Sequence, residues 1–191
     1  MNFFQDDTDL LKEIRKQILI YNATKNMNDR ERAVFLGLPE GCRIRENAKI
    51  LRQDKFKCGK YVWIGEGAVL DAQGGLEIGD YTQVGLYVMI WTHTTYKQAL
   101  RSETCKSGES IIYKPTSIGK NCFIAGPSVI APGVNIGDKS IIAPCSFVDK
   151  DLAAGTMFNN DQRYSELQKQ VSKLAQDIEK IKILCLNNKN I

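Results

Sequence analysis

The chain has 191 residues, 43% hydrophobic and 25% charged, with a formal net charge of +4. That size and balance suit one folded domain with its own core. A surplus so small, carried by dispersed Lys and Arg, does not make a nucleic-acid surface, and no apolar run nears the ~20 residues that span a bilayer. The six cysteines include no CxxC pair, so reduced thiols are expected. The acidic start lacks the apolar segment of a secretory signal, which sets the expectation of a cytoplasmic protein without membrane insertion.

From Asp7 to about Tyr21, Leu10, Leu11, Ile14, Ile18 and Leu19 recur at helical spacing behind Asp6, Asp7 and Thr8 as cap candidates. A second short helix is expected from Asn28, another cap candidate, to Leu36. These make a helical N-terminal segment over 1–43.

From residue 44 to 156 a different cadence takes over. Ile118, Ile124, Ile130, Ile136, Ile142 and Val148 fall every sixth position, a period that fits neither a helix nor a plain alternating strand. It describes short straight segments joined by corners, each repeat forming one side of a stacked prism. Gly or Ala follows the aliphatic at 119, 125, 131, 137 and 143, where a corner needs little bulk or a permissive backbone. Cys122, Ser128, Val134, Ser140 and Ser146 lie four residues after it, small enough to pack inward beside it. Upstream, Ile90, Val84 and Ile78 keep the step, and an offset of two beside Gly74 and Gly75 marks a loosened corner before Leu70 and Ile64. Ile44, Ile50 and Phe56 begin the prism. An antiparallel sandwich with regular turns would not hold six consecutive matches.

The cadence breaks between Ile90 and Ile118. The excursion, with a protruding loop at 93–117, is polar and aperiodic, and a long excursion from a solenoid is usually functional. His93, the only histidine, stands where the chain leaves the prism, and imidazole is suited to accept and return a proton near neutral pH. After the prism, a 157–191 segment carries Tyr164, Leu167, Val171, Leu174, Ile178, Ile181 and Cys185 at alternating steps of three and four. This a/d seam belongs either to a helix packed on its own domain or to a parallel coiled coil between subunits.

The repeats, the excursion and the closing stretch IAPGVNIGDKSIIAPCSFVDKDLAAGT resemble the hexapeptide-repeat acyltransferases. The segment LDAQGGLEIGDYTQVGLYVMIWTHTTYKQAL is similar to part of the sugar O- and N-acetyltransferases. The resemblance implies an all-β solenoid, a left-handed parallel β-helix of hexapeptide repeats flanked by N-terminal helices and a C-terminal α-helix. Its handedness opposes the usual crossover rule and comes from the resemblance alone. The implied activity is acetyl-CoA-dependent transfer, in a homotrimer, to a hydroxyl or amino group of a sugar or nucleotide-linked sugar, as in cell-surface polysaccharide synthesis. His93 stands at the place of the family's catalytic base.

Ala125, Gly126, Ala143, Ser146 and Lys150 match places that line the cofactor groove, and the Gly126 N–H is the foremost candidate for holding an oxyanion or the pantetheine amide. Asp71, Asp80 and Glu103 are acidic candidates for binding sugar hydroxyls or orienting His93, and Trp91 and Tyr96 for stacking on a sugar or base. No metal is expected: a zinc site of the related three-histidine kind needs more histidines than one. The alternatives are an N-acyltransferase for a nucleotide-linked amino sugar and a non-catalytic scaffold. Two departures stand out: Thr94, Thr95 and Tyr96 follow His93 where many relatives have a second histidine, and Met157, Phe158, Asn159 and Asn160 replace the usual glycine-rich ending.

Overall fold

Six residues suffice for a strand of two or three and a corner, and such strands form throughout the prism. This computed structural model describes residues 9–101 and 110–187. Face one stacks β1 (Arg43–Ile44), β4 (Trp63–Ile64), β7 (Gln83–Val84), β12 (Phe123–Ile124), β15 (Ile141–Ile142) and β17 (Met157–Phe158). Face two stacks β2 (Lys49–Leu51), β5 (Val69–Asp71), β8 (Met89–Ile90), β13 (Val129–Ile130) and β16 (Phe147–Val148). Face three stacks β3 (Phe56–Cys58), β6 (Leu76–Ile78), β11 (Thr116–Ile118) and β14 (Asn135–Ile136). Pairing within all three is parallel, and register sets like on like: Ile124 on Ile142, Ile130 on Val148, Ile118 on Ile136. The chain folds as the parallel β-solenoid of six-residue repeats that the cadence implies.

The aliphatic column is the core. Ile44, Ile64, Leu70, Val84, Ile90, Ile124, Ile130, Ile142 and Val148 are wholly buried, each such side chain contributing roughly 1.5–3 kcal/mol. The small inward residues share it, and their hydroxyls do not go unpaired. Ser128 Oγ donates to Ala125 O, Ser140 Oγ to Gly137 O and Ser146 Oγ to Ala143 O, each pinning a corner.

The corners separate two requirements that the sequence reading joined. The glycines after the aliphatic serve close approach: a Cβ on Gly79 would lie 2.7 Å from the backbone carbon of Gly119 in the next coil. The left-handed backbone instead falls on the position just before the inward small residue, filled by glycine at Gly41, Gly67, Gly133 and Gly155 but by Asn47, Tyr61, Tyr81, Tyr87, Asn121, Lys139 and Cys145 elsewhere. That conformation costs a non-glycine residue about 1–2 kcal/mol. It aims the N–H at the preceding coil, as where Asn121 N donates to Asp80 O and Lys139 N to Lys120 O. The offset near Gly74 is real, and Gly75 takes a positive φ there.

The flanks follow the expected order. α1 (Asp9–Ala23) precedes α2 (Asp29–Phe35), whose N-cap Asn28 forms a reciprocal capping box with Glu31. The cap candidates Asp6, Asp7 and Thr8 lie outside the described residues. α2 covers the open end of the prism through Arg32, buried to 4% exposure. Its guanidinium donates to Ile44 O at 2.7 Å and Thr24 O at 2.9 Å, and also to Met27 O. At the far end α4 runs over Asn160–Asn187. No helix among the described residues is long and apolar enough to cross a membrane.

Candidate active site

The excursion is less formless than its composition suggests. β9 (His93–Thr94) and β10 (Ile112–Tyr113) pair antiparallel, His93 opposite Tyr113, and close its base. A short helix, α3 (Tyr96–Arg101), follows β9. A single backbone ladder needs no repeat, which is why period alone did not show it. Glu103 lies outside the described residues.

A buried titratable pair lies at the base of the excursion. Thr92 N and Oγ1 donate to Asp71 Oδ2 at 2.9 and 3.1 Å, and Gln73 N donates to Asp71 Oδ1 at 3.1 Å. His93 Nδ1 lies 2.6 Å from the same Oδ2. Asp71 is fully buried and the His93 side chain is 16% exposed. Burial works to raise the Asp71 pKa, but the hydrogen bonds from His93, Thr92 and Gln73 together hold it below the ordinary carboxylate value. An ionised carboxylate only accepts, so Nδ1 carries the proton and Nε2 keeps the lone pair of a base. Thr92 Oγ1 also accepts from Gly74 N at 2.8 Å, fixing the loosened corner against the exit of the excursion. Of Asp71's two expected roles, its geometry fits the orienting of His93.

This corner lies between faces two and three. Trp91, half-buried, accepts at its carbonyl from Thr116 Oγ1, where the chain returns to the prism. Tyr113 places its ring centroid 6.2 Å from that of His93 and carries Lys55 Nζ over its ring at 5.7 Å. Tyr96 is exposed on α3. Gln98 on α3 is buried, and its Nε2 meets no partner among the described residues. Lys150 is exposed at the same prism edge, after β16. Asp80 does not join them: it pairs with Lys120 Nζ at 2.9 Å and accepts from Lys60 N, bracing the edge between faces three and one.

Apart from Lys150, the cofactor-groove candidates fall on another edge. Ala125, Gly126, Ala143 and Ser146 lie between faces one and two, separated from His93 by the width of face two. Ser146 is buried and its hydroxyl is spent on Ala143 O. Gly126 sits against the Leu86 carbonyl, where no Cβ would fit, and its N–H meets no acceptor among the described residues. Sequence reasoning missed Thr92, Tyr113 and Gln98. Only Thr92 had a signal, its place beside His93 and one coil beyond Asp71.

Comparison with known proteins agrees with this architecture. Residues 115–150 match the family described as bacterial transferase hexapeptide (six repeats). The chain is 29% identical over 116 residues to the putative colanic acid biosynthesis acetyltransferase WcaF of Escherichia coli (strain K12), covering 60% of this chain and 59% of that protein. It is 33% identical over 113 residues to the galactoside O-acetyltransferase of the same organism, covering 57% of this chain and 55% of that protein. The chain thus spans less than two thirds of the length of these curated relatives. Among solved structures, the hexapeptide-repeat acetyltransferase VCA0836 of Vibrio cholerae superposes with a TM-score of 0.65 at 20% identity, over 78% of this chain and 86% of that one. It has also been solved with acetyl coenzyme A.

Proposed function

We propose that this hexapeptide-repeat β-helix is an acetyl-CoA-dependent acetyltransferase whose acceptor is a sugar hydroxyl. The observation that carries the reading is the Asp71–His93 pair at the exit of the excursion. A hydroxyl acceptor must lose its proton as it attacks, and a buried carboxylate that keeps the proton on Nδ1 leaves Nε2 to take it. The charge of Asp71 then stabilises the imidazolium that forms. An amine acceptor, once deprotonated, needs this help less, so the dyad favours the hydroxyl over an amino sugar. The names of the curated relatives, an O-acetyltransferase among them, support the same class.

Acetyl-CoA supplies the activated acyl group. The unpaired Gly126 N–H suits a carbonyl oxygen gaining negative charge, or a pantetheine amide. Ala125 and Ala143 leave a narrow edge for a long thin ligand, and Lys150 would meet phosphate. An unpaired buried donor costs about 1–3 kcal/mol, so Gln98 supports a polar acceptor beside α3, with Trp91, Tyr96 and Tyr113 as its aromatic walls.

Base and amide stand on different edges of one prism, so the site is completed between two copies. Most outward residues of faces one and two support a homotrimer: Trp63, Phe123, Ile141 and Met157 on one, Val69, Met89, Val129 and Phe147 on the other, with Arg43, Gln83 and Lys49 the polar exceptions. Face three presents Lys57, Glu77, Ser117 and Asn135 instead.

The test is thiol release from acetyl-CoA with a panel of sugars and nucleotide-linked amino sugars. Turnover with a hydroxyl sugar is expected. Turnover confined to amino sugars would replace the hydroxyl reading, and no turnover together with no coenzyme A binding by calorimetry would leave a scaffold.

A further inference from the structure

We infer that α4 is one strand of a parallel, in-register coiled coil formed with the same helix of other copies of this chain. The inference extends the threefold assembly proposed above and rests on it for the number of strands.

Leu167, Val171, Leu174, Ile178 and Ile181 are each 54–61% exposed, so the protomer's own prism does not cover this stripe. Their steps of four and three keep them on one seam, along a helix of 28 residues, about 42 Å. An apolar stripe of this length on a free helix is an association surface.

The flanking charges select the register. With Val171 and Ile178 as a positions and Leu167, Leu174 and Ile181 as d positions, Asp177 is a g residue and Lys182 an e residue. In a parallel pair a g residue faces the e residue five positions on in its neighbour. Asp177 therefore meets Lys182 of the next copy, and Gln170 meets Ala175, with no like charges opposed. Within one helix Asp177 and Lys182 have only exposed partners, Lys180 at 3.6 Å and Glu179 at 3.3 Å. Such pairs hold them weakly.

The root of the helix sets its direction. Asn160, its first residue, accepts from Phe147 N at 3.3 Å and donates to Cys145 O at 2.6 Å. This fastens α4 to the edge between faces one and two, the two faces with apolar outward residues. Copies that meet across those faces bring their helix starts side by side, pointing the same way. Three heptads are marginal alone, but tethering to an assembled prism raises their effective concentration into the range where they pair.

The test uses the full chain. With diamide as oxidant, a Leu174→Cys chain should form a disulfide between residue 174 of two copies, identified by mass spectrometry, whereas Gln176→Cys on the outer surface should not. Ile178→Lys should lose most of the helical ellipticity contributed by α4 while light scattering still reports three chains. Absence of the 174 cross-link, or full helicity in Ile178→Lys, overturns the coiled coil. A wild-type chain that is a dimer, with the Leu174→Cys chain still cross-linked at 174, upholds it and overturns only the threefold reading. A wild-type monomer without the cross-link overturns both.

Discussion

Two edges of the same prism carry opposite chemistry. Between faces two and three the chain buries an ionised aspartate, spends four hydrogen bonds on it, leaves the coil after Thr92 and returns to it at Thr116. Between faces one and two the later coils make tight corners of Leu86, Tyr87, Gly126, Pro127, Pro144 and Cys145, while the ion pair on that edge, Arg45 with Glu66 at 3.6 Å, is partly exposed and belongs to the first two coils. A uniform repeat therefore does not mean a uniform surface. In the function proposed above, one edge moves a proton and the other is covered.

Four experiments would break or sharpen that contrast. The largest expected effect belongs to His93→Ala, which should lower turnover by ~10²–10⁴-fold with the secondary structure retained by circular dichroism; near-full activity would leave the first edge without its base. Asp71→Asn should cost roughly 10²-fold or more, because an amide can donate to Nδ1 and leave the proton on Nε2, the tautomer unable to act as base. Steady-state kinetics would show a fall in kcat rather than a rise in KM. On the other edge, Phe147→Asp combined with Met157→Asp should convert the oligomer to smaller species by light scattering and abolish turnover with it. Activity in a monomer would refute a site shared between copies.

The smallest effect is on acid stability. Because the folded-state pKa of Asp71 is lowered, its contribution is complete above the ordinary carboxylate value of about 3.9 and is lost as pH falls through the lowered one. The stability gap between wild type and Asp71→Asn, measured by urea unfolding, should therefore narrow below about pH 4. A gap that widened there would reverse the assignment of the ionised form.

Most of the fold was legible because an inward Ile or Val is required once per side, and the requirement repeats. Ile118 to Val148 state it without a miss, and the buried column follows them residue by residue. The left-handed corners were not legible: Tyr81, Asn121, Lys139 and Cys145 share a backbone conformation and no side-chain chemistry. At the candidate site His93 was marked by being the only histidine at a break in period. The partner that Asp71 makes for it depends on coil register, which sets Leu70 against Ile90 and so brings residue 71 beneath the start of the excursion. Gln98 and Tyr113 lie in aperiodic sequence, where no spacing announces a neighbour.

Arg32 has a consequence at the scale of many molecules. A β-helix ends in an open row of backbone groups, and such a row is a template on which another chain can grow. By satisfying Ile44 O from above and carrying α2 across the first coil, Arg32 denies that template to an incoming prism. The helical lid is thus a stop against end-to-end fibre growth at this end of the prism.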